Sequence, residues 1–353
     1  MSLNNLGWND KLTELTKDCD INLSDVGRII SQHKNLYTIS TGKTDLFAEV
    51  SGNFMFNKSD FPVVGDWVII TERLNEKKAT IHDILPRYSK FSRSSSGEVT
   101  TEQVIASNID YIFLVSSLNE EFNLRRIERY LISSWDSGAN PIIVLNKSDL
   151  CDDEEINKKI LQINKIAFGI NVEVISATTG DGMKSLYKYT GSGKTIALLG
   201  SSGTGKSTIC NYLLNRSVQK VQNVRASDSK GRHTTTSRHL FKMPNGGVLI
   251  DTPGMRELQL WDVSGGMEPS FKDIYRLAQE CYYNDCQHDT EPMCKVKEAI
   301  SKGKLEPNRL QSYNKLKKEL DYLESRHNKA KQLELKHKAK KIGGDRTRFN
   351  RRK

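Results

Sequence analysis

Nowhere in this 353-residue sequence do about 18 apolar residues run together, and its N-terminus lacks the apolar core of a secretory signal. Both absences argue against a membrane or exported protein and predict a soluble, cytoplasmic one. Cysteine is scarce as well. The six residues are not spread as a disulfide framework requires, and three of them fall within 281–294, which suggests a metal. An excess of charge is missing from most of the chain. The net charge is +10, but residues 309–353 hold 16 Lys/Arg against 5 Asp/Glu, a local +11, so the other 308 residues are near neutral. A basic tail on a balanced body points to a polyanion such as RNA, with a merely solvated charged helix as the alternative. The length allows two or three domains with a substantial core.

What is present is organised around Gly200, Ser201, Ser202, Gly203, Thr204, Gly205, Lys206, Ser207 and Thr208. This matches G-x-x-x-x-G-K-[ST], in which glycines let successive backbone N–H groups curl around phosphate oxygens. Lys206 supplies charge to the β and γ phosphates, and the Ser207 hydroxyl is placed for Mg²⁺. The apolar run 195–199 predicts a buried strand entering the loop, and 208–214 has helical spacing behind it. The similar GSGKT at 191–195 precedes that strand and is the turn leading into it.

Residues 1–34 are polar and predict a short arm or helix. From 35 to 91 the texture is β-rich, with runs at 36–40, 46–50, 66–71 and 79–85 separated by turn residues. Four or five short strands in so few residues predict a small barrel, an OB-fold first and an SH3-like barrel as the alternative. Tyr37, Phe47, Phe54, Phe56, Phe61 and Trp67 are candidate stacking platforms for RNA bases, although most are expected in the core. The Ser/Thr-rich stretch 92–101 reads as a linker. Beyond it, strands at 111–115, 141–145, 172–175, 195–199 and 248–250 alternate with helices at 123–134, 156–168 and 208–214. That alternation predicts a mainly parallel α/β sheet over 92–265, with ligand loops at the C-terminal ends of its strands.

Asn146, Lys147, Ser148 and Asp149 follow the strand 141–145. A carboxylate offers two acceptors to the adjacent ring N–H and amine of guanine, and adenine has no such pair, so Asp149 separates GTP from ATP. Ser176 and Ala177 follow the next strand and predict a backbone N–H near the guanine oxygen. Asp251, with Gly254 three residues on, is expected to hold Mg²⁺ and face the γ phosphate. The polar stretch Gly231 to Thr236 holds the switch threonine, which is Thr234, Thr235 or Thr236. The resulting Mg²⁺ set is Ser207, Thr234, Thr235 and Asp251. Ras-like proteins place glutamine after the D-x-x-G glycine. Here that residue is Met255, so His233 is the candidate water-orienting group, acting with Lys206 and Thr235. At 281–294, Cys281, Cys286, His288 and Cys294 make a closed Cys₃His set, as structural Zn²⁺ requires. Leu310, Tyr313, Leu316, Leu320 and Leu323 recur at helical spacing behind it.

The order of these motifs is unusual, with guanine readers first, phosphate loop second and switches last. Because the site is built from loops on one sheet edge, the chain can be cut and rejoined without moving them, a circular permutation. That order, together with GRHTT at 231–235, DTPGMRE at 251–257 and the cysteine cluster, resembles the ribosome small-subunit-dependent GTPase family RsgA (YjeQ). The resemblance, which covers about residues 36–300, implies an N-terminal OB domain, a permuted GTPase and a C-terminal zinc domain; the zinc-binding, α-rich domain is placed at about 266–330, and the charge of the sequence adds a basic tail at 331–353. It further implies a GTP hydrolase that acts on the small ribosomal subunit and its rRNA late in maturation. A monomer is expected. Two other readings stay open at this point, namely a GTP-dependent RNA-binding switch and a permuted GTPase of the large subunit.

Overall fold

A computed structural model of the chain describes residues 2–19, 21–33, 36–57, 60–94, 102–167, 169–217, 238–251, 264–322 and 325. It divides into two compact units, residues 1–91 with 104–258, and residues 92–103 with 259–353.

The first unit begins with α1 (Asp10–Leu15) and a barrel of β1 (Val26–His33), β2 (Leu36–Ser40), β3 (Asp45–Val50), β4 (Trp67–Arg73) and β5 (Lys78–Ile84), with α2 (Gly52–Asn57) between β3 and β4. The barrel runs β1-β2-β3-β5-β4 and closes through β1–β4, with β3 and β5 parallel. This is the five-stranded OB barrel that the short β-rich runs predict. The first barrel strand lies inside the stretch that the sequence suggests as an arm. Its residues Val26–Ile29 are buried, and the register irregularity at Ile29/Ser31 bends β1, which pairs with three strands, β2, β4 and the later strand Arg238–Lys242. Of the six barrel aromatics, Tyr37, Phe54 and Trp67 are core, whereas Phe47, Phe56 and Phe61 are exposed.

After a two-stranded ribbon of β6 (Lys90–Ser94) and β7 (Glu102–Ser107), the α/β part contains β8 (Tyr111–Ser117), α3 (Leu124–Asp136), β9 (Asn140–Asn146), α4 (Asp153–Ile166) and β10 (Val172–Val174). It continues through β11 (Thr195–Leu199), α5 (Lys206–Leu214), β12 (Arg238–Lys242) and β13 (Val248–Asp251). Strand order is β10-β9-β8-β11-β13-β12, parallel except for β12. The strands YIFLVSS, NPIIVLN and TIALL carry unbroken apolar runs at their centres because both faces of a parallel sheet are covered. Alternation then sorts them. Ile112, Leu114, Ile143 and Leu145 join Ile127 and Leu131 of α3, while Phe113, Val115, Ile142 and Val144 join Ile209 and Leu213 of α5.

Barrel and α/β sheet are continuous, since β12 pairs with β1 through Ser31↔His239 and Gln32↔Arg238. The junction is pinned by Arg28, fully buried on β1. It donates to Gly65 O (3.1 Å), Asn108 O (3.1 Å), Thr195 Oγ1 (2.9 Å) and Leu6 O, and lies 5.2 Å from the Trp67 ring centre. Burial lowers its pKa to about 10, against the pull of Tyr88, Asp110 and Asp66. One guanidinium thus ties the N-terminal segment, the barrel and the first residue of β11.

The second unit contains α6 (Ser264–Ser270), α7 (Lys272–Ala278), α8 (Lys295–Ser301) and a helix over residues 307–322. Leu310, Tyr313 and Leu316 are buried, as their spacing predicts, whereas Leu323 and the tail 331–353 lie outside the described residues. Arg309 grips Asp273 with two bonds (3.1 and 3.2 Å) and stacks 4.2 Å over Phe271, locking the later helix onto α7. Among the described residues no helix is long and apolar enough to cross a membrane.

Candidate functional site

The phosphate-binding loop leaves β11 beside β8 and opens α5 at Lys206. Its glycines answer to space. A Cβ on Gly200 would stand 2.3 Å from Val115 O, and one on Gly205, at φ +94°, would stand 2.1 Å from Asn146 Nδ2. Thr204 Oγ1 donates to Ser201 O (3.0 Å), tightening the loop. Lys206 Nζ donates to the carbonyls of Gly200 (2.7 Å) and Ser201. Ser202 and Gly203 are exposed at the tip, and Ser207 and Thr208 are half-buried in the first turn of α5.

Asn146, at the end of β9, joins this loop to the segments 147–149 and 176–177, which the sequence predicts to read guanine. It is 2% exposed, so both ends of its amide must be satisfied within the protein. Nδ2 donates to Thr204 O (2.8 Å), and Oδ1 accepts from Ala177 N–H (2.9 Å). Lys147 then turns the chain at φ +67°, and Ser148 N–H donates to Ile175 O (3.2 Å). Asp149 is exposed at the mouth and held by Ser176 Oγ, which donates to Oδ1 (2.5 Å). Residues 146–149, 176–177 and 200–208 therefore meet at one edge, where β8, β9, β10 and β11 end in parallel.

Asp251 ends β13 on the same edge. The Cys210 thiol is pushed up to about 12, first by burial and then by the Asp251 charge. Cys210 lies one helical turn from Ser207 on one face of α5. His233, Thr234, Thr235 and Gly254 lie outside the described residues. The sequence reading misses Arg126 of α3, whose Nη1 donates to Ser201 Oγ at 2.7 Å. It belongs to no motif, and only the adjacency of β8 and β11 brings it there.

In the second unit, Cys281, Cys286, His288 and Cys294 bring one ligand atom each within 4.8 Å of one another. Cys281 and Cys294 sulfurs are 3.9 Å apart, and His288 Nδ1 is 3.8 and 3.5 Å from them. A tetrahedron with metal–sulfur bonds of about 2.3 Å has sulfur–sulfur edges of about 3.8 Å, so the set fits Zn²⁺. Burial and the neighbouring Cys294 and Cys281 push the Cys286 thiol up to about 11. Glu291 supports the loop, accepting the N–H groups of Gln287 and Asp289 at 2.9 Å each, on either side of His288.

The family model for the RsgA GTPase matches residues 84–261. Among curated relatives, Small ribosomal subunit biogenesis GTPase RsgA 1 of Oceanobacillus iheyensis is 42% identical over 93% of this chain and 94% of its own length. A protein named Small ribosomal subunit biogenesis GTPase RsgA, of Methanosarcina acetivorans, is 41% identical over 90% and 85%. The crystal structure of YjeQ from Thermotoga maritima superposes with a TM-score of 0.64 at 27% identity, covering 84% of this chain and 98% of that one. YloQ, described as a circularly permuted GTPase, shares the fold with a TM-score of 0.62 at 23% identity, covering 84% and 94%. With the motif order, the shared sheet edge and these matches in agreement, the chain belongs to the RsgA GTPase family and is a circularly permuted GTP hydrolase.

Proposed function

We propose that the chain hydrolyses GTP to GDP and phosphate on the small ribosomal subunit late in its maturation, and that this subunit stimulates turnover. The observation that carries the nucleotide part is Asn146, whose one amide ties the phosphate-binding loop to the guanine-reading loop. The subunit part draws on the names of relatives 41–42% identical over nearly the whole chain. Contact with rRNA is ascribed to the exposed barrel aromatics and the basic tail.

In this scheme Asp149 reads the guanine edge, with Ser176 orienting its carboxylate and Ala177 N–H near the base oxygen. Loop amides and Lys206 bind the β and γ phosphates and stabilise the charge that grows on them. Ser207, Asp251 and Thr234 or Thr235 are the residues to hold Mg²⁺, which when bound neutralises phosphate charge and orients the β–γ bridge. His233 orients the attacking water, and Gly254 N–H faces the γ phosphate. Zn²⁺ on the Cys₃His set is structural, since four protein ligands leave no position for water. The protein acts as a monomer in the cytoplasm.

Turnover of GTP with purified small and large subunits tests the proposal. Stimulation by the small subunit alone supports it. No stimulation, or equal stimulation by the large subunit, overturns it.

A further inference from the structure

Arg126 is placed by the local chain and not by a motif. Asn123 caps α3 and accepts the Arg126 backbone N–H through Oδ1 (3.1 Å), fixing the residue in the first turn. Because β8 and β11 are neighbours, with Leu114 opposite Leu199, the chain leading from β8 to α3 and the phosphate-binding loop leave the sheet side by side. The Arg126 guanidinium then reaches across to Ser201 Oγ at 2.7 Å. Lys206 Nζ donates to the carbonyl of that same serine. Two cations from separate elements thus converge on one residue of the loop that grips phosphate.

The partner Arg126 has is weak for what it offers. A guanidinium carries five N–H donors in a rigid fork, and a neutral hydroxyl satisfies one of them. The side chain is exposed, and among the described carboxylates none forms an ion pair with it. A phosphoryl group offers charged acceptors in the geometry of that fork, and such bonds are roughly twice as strong as those between neutral groups.

We propose that Arg126 is a catalytic arginine supplied in cis. With GTP bound, its guanidinium leaves Ser201 Oγ for the terminal phosphate, within reach of the same loop. The proposal rests on GTP hydrolysis at this site. Water forms a bond to the γ phosphorus, the bond from that phosphorus to the β–γ bridging oxygen breaks, and GDP leaves with the electron pair. The water proton ends on the released phosphate. Arg126 exchanges no proton; it offsets the negative charge that builds on the γ and bridging oxygens, a role in which a single arginine is worth on the order of 10³-fold or more. Such a group matters in a chain with Met255 where Ras-like proteins carry glutamine.

The test uses the full chain with Mg²⁺ and compares Arg126→Ala and Arg126→Lys with wild type. Single-turnover GTP hydrolysis is measured beside the affinities for GDP and for GDP with aluminium fluoride, which mimics the transferring phosphoryl group. Arg126→Ala is expected to slow hydrolysis by about 10³-fold and to lose the aluminium fluoride complex, while GDP affinity stays within about twofold. Arg126→Lys recovers part of the rate, because a point charge lacks the fork. Hydrolysis by Arg126→Ala within threefold of wild type overturns the proposal. So does equal weakening of GDP and its aluminium fluoride complex, which is what a role confined to shaping the loop would produce. A wild-type chain that binds GTP but does not hydrolyse it overturns the GTPase assignment itself, and this proposal with it.

Discussion

Asn146 is the most informative residue to perturb, because its two hydrogen bonds hold two halves of the site in one geometry. In Asn146→Ala the Thr204 carbonyl and the Ala177 N–H both lose their partner at a position that is 2% exposed. Each stranded group costs about 1–3 kcal/mol, so the pair costs about 2–6 kcal/mol, divided between stability and binding. If most of it falls on binding, where the loops must then be ordered by the nucleotide, GDP affinity drops about 30-fold to on the order of 10⁴-fold. Each kcal/mol that falls on the fold instead lowers Tm by about 2–4 °C. Asn146→Asp separates hydrogen bonding from volume. The carboxylate still accepts the Ala177 N–H but turns its second oxygen toward the Thr204 carbonyl, so an isosteric change should bind GDP no better than alanine. Calorimetric titration of GDP and thermal unfolding measure the two shares. An aspartate variant that binds like wild type, or an alanine variant with unchanged Tm and affinity within twofold, refutes the reasoning.

Three further outcomes are expected. Asp149→Asn replaces one acceptor of the guanine pair by a donor, so competition binding should show preference for GTP over ATP shrinking by about 2–5 kcal/mol; an unchanged preference removes this residue from base recognition. Metal analysis of the purified chain should find about one zinc, and Cys294→Ser should lose both the metal and helical signal from the second unit; a metal-free chain with an unaltered circular dichroism spectrum contradicts the Cys₃His assignment. Arg28→Met should destabilise the first unit by about 3–5 kcal/mol in denaturant unfolding, because the carbonyls of Leu6, Gly65 and Asn108 lose a charged donor; a loss under about 1 kcal/mol would show that they find other partners.

The nucleotide motifs are legible because each is local. Gly200–Thr208 and Asn146–Asp149 are contiguous, and the apolar runs before them announce parallel strands, so the sheet edge that collects them follows from the alternation of strand and helix. The Cys₃His cluster is legible for the same reason, since its four ligands span 14 residues. The first barrel strand is not. VGRIISQH places an arginine among apolar residues, and a buried guanidinium is unreadable until four acceptors from distant segments surround it.

By itself, then, the sequence offered the motifs: the N-K-S-D run with its carboxylate, the glycine-rich loop with its lysine, a Cys₃His set able to hold a metal, and the permuted order shared with the family. Tertiary structure alone decided what those parts do to one another. Asn146 meets Thr204 across 58 residues, Arg126 meets Ser201 across 75, and β1 of the barrel borders the strand that ends at Lys242. The reason is physical. Periodicity and turn chemistry act over a few residues, whereas the pairing of β8 with β11 and of β1 with β12 is chosen by burial of whole sheet faces, which no short stretch of sequence encodes.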